Sequence, residues 1–292
     1  MIPLKYKDRR DEGETTLRQC QLVQLHMLHV LDAICKKHNI EYFLEGGTLL
    51  GAMWRGGFIP WDDDLDVGMF RDQYEKFLRI AREELPKDVI LQTPDDVPEQ
   101  VLAFAKLRDA YSFYAECSMS QNLSRSNGIF LDIFAYDKIP SLWIFERPLV
   151  KLCKRCWIFV RALRCSGGRG WWFALFGGWL ALPLYAAHYV IRWLFSVLLH
   201  VLPCRNYYVN LEMNCFIRRT YGMMYPVGVH QFEDGEFPVP HDWDGLLSEH
   251  YRPEWRQPPP KEKQVGGHSS LSLPFQTPMY KGAMKWTPEK DK

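Results

Sequence analysis

The segment Phe58-Ile59-Pro60-Trp61-Asp62-Asp63-Asp64-Leu65-Asp66-Val67 constrains this chain more than any other. Four carboxylates sit within five positions of an otherwise apolar stretch. If the backbone is extended from Pro60 to Met69, residues two apart share a face. Asp62, Asp64 and Asp66 then point one way, and Asp63 points the other way with Leu65 and Val67. Three like charges on one face repel unless a cation neutralises them. Oxygen donors of this kind suit a hard divalent ion, Mg²⁺ or Mn²⁺. A calcium loop starting at Asp62 fails, because Val67 stands where its glycine is needed and Gln73 where its bidentate Glu is needed.

Upstream lies Glu45-Gly46-Gly47-Thr48-Leu49-Leu50-Gly51. Glu41 to Leu44 reads as a short strand, Gly46-Gly47 as a turn, and Thr48 to Met53 as a short helix. Backbone N–H groups at such a turn approach phosphate closely. A strand, a Gly-Gly turn, a helix and then a strand carrying Asp-x-Asp is the pattern of nucleotidyltransferases. Thr15 to His38 has the periodicity of an amphipathic helix. Asp72 is a candidate N-cap for a helix reaching about Leu85. Val101 to Tyr114 and Gly128 to Phe134 read as further strands. In the latter, Asp132 is the lone charge among Ile129, Phe130, Leu131, Ile133 and Phe134. It is a candidate metal ligand or proton acceptor; a buried Asp capping a turn is the alternative.

Composition shifts near Ser141. From there to about Pro203 the chain is rich in Trp, Phe, Leu, Arg and Lys. Trp171 to Ala187 carries no charge, but Gly177-Gly178 and Pro183 interrupt it, so a membrane span is strained. Lys151, Lys154, Arg155, Arg161, Arg164 and Arg169 precede it, which fits an interfacial segment on anionic lipid; a buried helical hairpin is the alternative. The chain divides accordingly into a catalytic core (1–140), a Trp-rich helical segment (141–205) and a C-terminal segment completing the site (206–292). The formal charge of +1 lacks the basic surplus of a nucleic-acid binder. Eight irregularly spaced cysteines and a charged Met1–Glu14 segment suggest a reducing, cytoplasmic setting. Cys153-x-x-Cys156 reads as apolar cysteines on a helix rather than a zinc site.

Glu45 to Ala52, followed by Gly57 to Asp66, resembles the LicD family signature, shared by bacterial phosphorylcholine transferases and fukutin-related animal proteins. A looser likeness runs through Lys106-Leu107-Arg108, Leu131 to Phe134, Phe232-Glu233, Phe237 to Pro240, Asp244, Leu247, Tyr251, Pro259 and His268. The resemblance implies an α+β, nucleotidyltransferase-like (polymerase-beta-like) mixed sheet with flanking helices, to which the chain adds an apolar helical insertion. It further implies transfer of a phosphoryl-linked group from a CDP-activated donor to a sugar or alditol hydroxyl; the apolar middle segment favours a cell-surface glycan or glycolipid acceptor, such as lipopolysaccharide or teichoic acid, assembled at the inner face of the membrane. By the same resemblance Asp64, Asp66 and Asp132 are the metal ligands, and Asp62 or Asp132 takes the proton. Gly46, Gly47, Thr48 and Lys106 hold donor phosphates, with His268 near the donor. The family usually has Arg-His where this chain has Trp54-Arg55, so Arg55 is the candidate replacement contact. Nucleotidyl transfer to a small hydroxylated substrate and an inactive membrane-associated scaffold are the competing readings.

Overall fold

The computed structural model describes residues 8–96, 104–114, 128–141, 146–165, 171–201, 206–211, 219–251 and 253–264. The protein is α+β. Helix α1 (Thr16–His38) starts where the Thr15 side chain accepts the Arg18 N–H at 3.1 Å, and ends where Asn39 turns left-handed at φ 51°. Strand β1 (Phe43–Leu44) leads directly into α2 (Gly46–Arg55). Strand β2 (Asp66–Phe70) runs without a loop into α3 (Arg71–Glu84). Strands β3 (Val89–Gln92), β4 (Ala105–Asp109) and β5 (Phe130–Pro140) follow. Helices α4 (Glu146–Cys165) and α5 (Trp171–Val201) come next. The chain then returns to the sheet as β6 (Asn206–Val209) and β7 (Arg219–Thr220). The short α6 (Tyr221–Met224), the hairpin β8 (Gly228–Phe232) and β9 (Gly235–Val239), and α7 (Trp243–Tyr251) complete the described elements.

Strands run in the order β1-β2-β5-β4-β3, with β2 and β5 parallel and the other pairs antiparallel. The far half of β5 pairs with β6, which pairs with β7. Period-two alternation sorts the side chains. Val67, Met69, Leu107, Leu131 and Ile133 pack in the core that holds α1 and the inner face of α3. Phe43, Phe70, Phe104, Phe134 and Tyr136 face the other way, with Met224 and Leu246.

Two expectations shift. Extended structure does not hold from Pro60. Asp62 N–H donates to the Ile59 carbonyl at 3.0 Å, closing a turn, and the strand begins only at Asp66. The intervening backbone is held by α1 side chains. Gln21 donates to the carbonyls of Ile59 and Asp62, and Gln24 to that of Asp63. Helix α5, by contrast, continues through Gly177, Gly178 and Pro183. Pro183 is exposed, and its missing N–H removes one hydrogen bond from the helix there. Smaller differences lie at element ends. Strand β5 extends to Pro140 because β6 pairs its far half, and α3 is capped by Phe70, leaving Asp72 in the first turn. Cys153 and Cys156 are buried free thiols on α4, and Cys153 Sγ lies 3.1 Å from His188 Nδ1.

Arg10 is fully buried, and its guanidinium grips both carboxylate oxygens of Asp109 at 2.6 and 3.1 Å while also reaching Asp8. Burial opposes its charge, yet the two carboxylates raise its pKa above the ordinary arginine value. Removing one partner of such a pair strands a buried charge, at a cost of about 3–5 kcal/mol. Arg10→Ala is expected to lower the unfolding free energy by about that much in urea melts. A loss below about 1 kcal/mol would show that the pair is dispensable.

Candidate functional site

Register builds a polar row across the sheet. Asp132 is paired with Asp66 on one side and with Lys106 on the other, and Lys106 is paired with Gln92. Residues opposite one another share a face, roughly 4.8 Å from strand to strand. At the β1 end, Glu45 N–H donates to the Asp66 carbonyl at 3.1 Å, which adds Glu45 to the row. The row Glu45, Asp66, Asp132, Lys106, Gln92 therefore runs from the end of β1 across the four strands β2, β5, β4 and β3 on one face.

Each acidic group is handled differently. Lys106 is only 1% exposed, and its ammonium sits 2.8 Å from Asp132 Oδ1 and 3.7 Å from the centre of the Phe130 ring. Glu45 receives both arms of the buried Arg219, whose guanidinium lies 4.2 Å from the Tyr136 ring centre. Asp63 is turned into the core, 1% exposed, and accepts the Tyr114 hydroxyl at 2.9 Å. Asp66 keeps its carboxyl at the centre of the cluster. Burial pushes its pKa well up, and Asp64, Asp132, Asp62 and Glu45 add to the shift by repulsion.

Helix α2 aims its N-terminus at these groups. A β-carbon on Gly46 would stand 2.9 Å from Asp66 Oδ2, and one on Gly47 would stand 2.6 Å from Asp62 Oδ2. Gly46 also has φ of +52°, which disfavours other residues. The sequence pattern predicts phosphate at this turn; the structure sets carboxylate oxygens against both Cα atoms. The positive end of the helix dipole offsets part of their repulsion, about 0.3–1 kcal/mol. The Thr48 hydroxyl accepts the Asp66 N–H at 2.8 Å and so ties α2 to β2.

A cleft of about 580 Å³ opens beside the cluster, with Gly47 and Asp62 in its wall. Trp54, Trp61, Tyr251 and Trp255 supply aromatic surface, Glu254 a carboxylate, and Lys263 a cation. The indole N–H of Trp54 donates to the Trp255 carbonyl at 2.7 Å, and that of Trp255 to Ser248 Oγ at 3.1 Å. Both rings are thus fixed, and both donors are used within the protein. The Tyr251 hydroxyl would lie 3.9 Å from a Gly46 β-carbon, and its pKa is raised by burial and then by Asp66 and Asp62.

Asp62, Asp64, Asp66, Asp132, Lys106, Gly46, Gly47 and Thr48 therefore share one region of the fold. Arg55 does not join them. It is exposed in the last turn of α2, the end remote from Gly46. Trp54 faces the cleft in its place. His268 lies outside the described residues. Glu45, Arg219 and the aromatic wall escape local pattern reading, since Arg219 reaches Glu45 across 174 positions of sequence. Among the described residues no three His, Cys, Asp or Glu side chains form a finished cage for an ion. Oxygen donors crowded against one another nevertheless fit Mg²⁺, which usually takes one or two carboxylates and completes its shell with water and substrate phosphates.

Breaking the Glu45–Arg219 pair tests how the row is held. Arg219→Ala is expected to cost about 3–5 kcal/mol in denaturant melts by leaving Glu45 buried beside Asp66. The Glu45→Ala/Arg219→Ala double variant should recover at least about 1 kcal/mol relative to the sum of the single changes. Additive losses would show that the two residues act independently.

Residues 39–149 match the LicD/FKTN/FKRP nucleotidyltransferase domain. Over 141 residues the chain is 38% identical to the lipopolysaccharide cholinephosphotransferase LicD of Haemophilus influenzae, covering 48% of this chain and 51% of that protein. It is 41% identical to the ribitol 5-phosphate transferase FKRP of Mus musculus over 59 residues, which is 20% of this chain and 12% of FKRP. The match to the FKRP of Homo sapiens is 41% over 54 residues, 18% of this chain and 10% of that protein. The chain thus spans about half the length of the first relative and about a tenth of the other two. The acidic cluster thus lies within the region, residues 39–149, that is similar to the LicD/FKTN/FKRP nucleotidyltransferase domain.

Proposed function

We propose that this protein moves a phosphoryl-linked group, phosphocholine or a close analogue, from a CDP-activated donor to a hydroxyl of a cell-surface glycan or glycolipid, on a nucleotidyltransferase-type sheet. The observation that carries this reading is the carboxylate cluster around Asp66 opening onto an aromatic, acidic cleft. Relatives that transfer cholinephosphate and ribitol 5-phosphate support it from the sequence side.

Asp64 and Asp66 are the residues that would hold Mg²⁺ or Mn²⁺, which when bound supplies charge neutralisation to the donor pyrophosphate. The remaining work falls to the chain's own groups. Lys106, held by Asp132 and Phe130, fixes a positive charge at the far side of the row. The α2 N-terminus contributes backbone N–H groups. The acceptor hydroxyl attacks the phosphorus bearing the transferred group, the bond to the bridging oxygen breaks, and CMP leaves. Asp62 is the better-placed proton acceptor because it lines the cleft, whereas Asp132 is engaged by Lys106. Positioning and charge neutralisation carry most of such a reaction.

The cleft favours a cationic headgroup. With the Trp54 and Trp255 N–H groups already bonded, their rings offer π surface rather than donors. A quaternary ammonium, which has no N–H to satisfy, suits such a wall beside the Asp62 and Glu254 carboxylates.

Incubation with CDP-choline, CDP-ethanolamine, CDP-glycerol and CDP-ribitol plus Mg²⁺ should release CMP, most from CDP-choline. Chelation should abolish release, and Asp64→Ala should reduce it by roughly 100-fold or more. Pyrophosphate formed from a nucleoside triphosphate, with no CMP from any CDP donor, would replace this reading with nucleotidyl transfer. The headgroup assignment has a separate readout. Trp54→Ala should weaken CDP-choline binding about tenfold relative to CDP, and Trp54→Phe should retain most of it. Equal affinity of the wild-type protein for CDP-choline and CDP-glycerol would rule out the ammonium site.

A further inference from the structure

Helix α5 carries a bare apolar stripe. From Leu182 to Val201, 20 residues with mean hydropathy 1.4, the one Asp, Glu, Lys or Arg residue is Arg192. Leu182 is 76% exposed, Trp193 63% and Val201 68%, with Tyr189, Val190 and Leu194 exposed between them. At 1.5 Å per residue this stripe is about 30 Å long. Soluble monomers rarely leave so long an apolar surface in water.

The opposite side of the helix is committed to the protein. Ile191 and Phe195 pack with Ile139 of β5, Val150 and Cys153 of α4, and Val209 of β6. Arg192 turns to Asp137 of β5 at 2.9 Å, and Arg71 reaches the same carboxylate at 2.8 and 2.9 Å. Against the cost of burial, these two guanidiniums hold the Asp137 pKa below its ordinary range. To span a bilayer, α5 would have to carry Asp137 and the sheet into hydrocarbon.

We propose that α5 is a monotopic anchor that lies in the plane of an anionic bilayer, its exposed stripe in the headgroup–acyl boundary and its buried face on the sheet. Length and composition favour lipid over a protein partner, because the stripe offers no charge for pairing and places Tyr189 and Trp193 where interfacial aromatics sit. Charge at its margin agrees. A cleft of about 740 Å³ between α3 and α5 exposes Arg79 and Arg82 against Glu75 and Asp95, with Arg82 also paired to Asp96, while Arg71 and Arg192 in its wall are held by Asp137. On α4, Lys151 and Arg155 are also exposed. Such cations draw a surface towards anionic headgroups.

Vesicle sedimentation of the full chain tests this. Binding is expected to phosphatidylcholine vesicles containing phosphatidylglycerol, to weaken several-fold on pure phosphatidylcholine or in high salt, and to be released by alkaline carbonate. The Trp193→Glu/Leu194→Glu variant should bind about tenfold less while keeping the wild-type thermal melt and CDP-choline affinity. Single-residue Val190→Glu, a milder change, should fall between the two. Carbonate-resistant membrane retention would show a span and overturn the proposal. So would failure to sediment with anionic vesicles, or a dimer in light scattering that the double variant dissociates.

Discussion

Crowding of like charge is the constraint around which this fold is organised. Glu45, Asp62, Asp64, Asp66 and Asp132 all act on one another at Asp66. Coulomb repulsion between two charges about 4 Å apart is roughly 4 kcal/mol at an effective dielectric near 20, so a cluster of this size is stable only with counter-charge close by. The protein supplies it from three directions. Arg219 comes from β7, Lys106 from β4, and the positive end of α2 lies behind two glycines that leave room for carboxylate oxygens.

This arrangement explains why α1 is so polar for a buried helix. Gln21 and Gln24 bond the backbone of the acidic loop, which has no strand partner there. His29 bonds Asp234 in the β8–β9 turn at 2.8 Å, and Asp32 accepts the Tyr42 hydroxyl at 2.9 Å. An unpaired buried polar group costs about 1–3 kcal/mol, so each of these residues is tolerable only with its partner in place. A helix that looks amphipathic in sequence thus works as a central strut, apolar towards the sheet and hydrogen-bonding towards the loop that presents Asp62 and Asp64.

What could be read from sequence follows from the range of the forces involved. Local alternation located β2 and β5 and marked Asp132 as an anomaly among apolar neighbours, because side-chain parity is a property of a few consecutive residues. At Pro60 to Leu65 the parity holds from Asp62, with Asp63 and Leu65 buried and Asp62 and Asp64 half-buried, but the chain turns at Pro60–Trp61 and joins the sheet as a strand only at Asp66. There, hydrogen bonds from α1, some 40 positions away, outweigh strand propensity, and no local pattern encodes them. Gly177, Gly178 and Pro183 are breakers by propensity, yet α5 is continuous, since packing on α4 and β5 overrides a few kcal/mol of local preference. Trp54 was visible as a departure from the family pattern, but its role depends on Trp255, about 200 residues later.

Strand β5 joins the two halves of the molecule. Its near half sets Asp132 between Asp66 and Lys106, while its far half pairs with β6 and offers Asp137 to Arg71 and Arg192. Five residue steps along the strand separate the two aspartates, about 17 Å. They alternate in parity, so Asp132 faces the cluster and Asp137 the opposite side, towards α3 and α5. A rigid central strand flanked by hydrogen-bonded neighbours transmits position far better than a linker would. If α5 rests on lipid as proposed, this strand fixes the distance between the acidic cluster and the membrane surface. The buried Asp137 ties these parts together: its two arginines, one from α3 and one from α5, hold the helix with the exposed apolar stripe to the strand that carries Asp132.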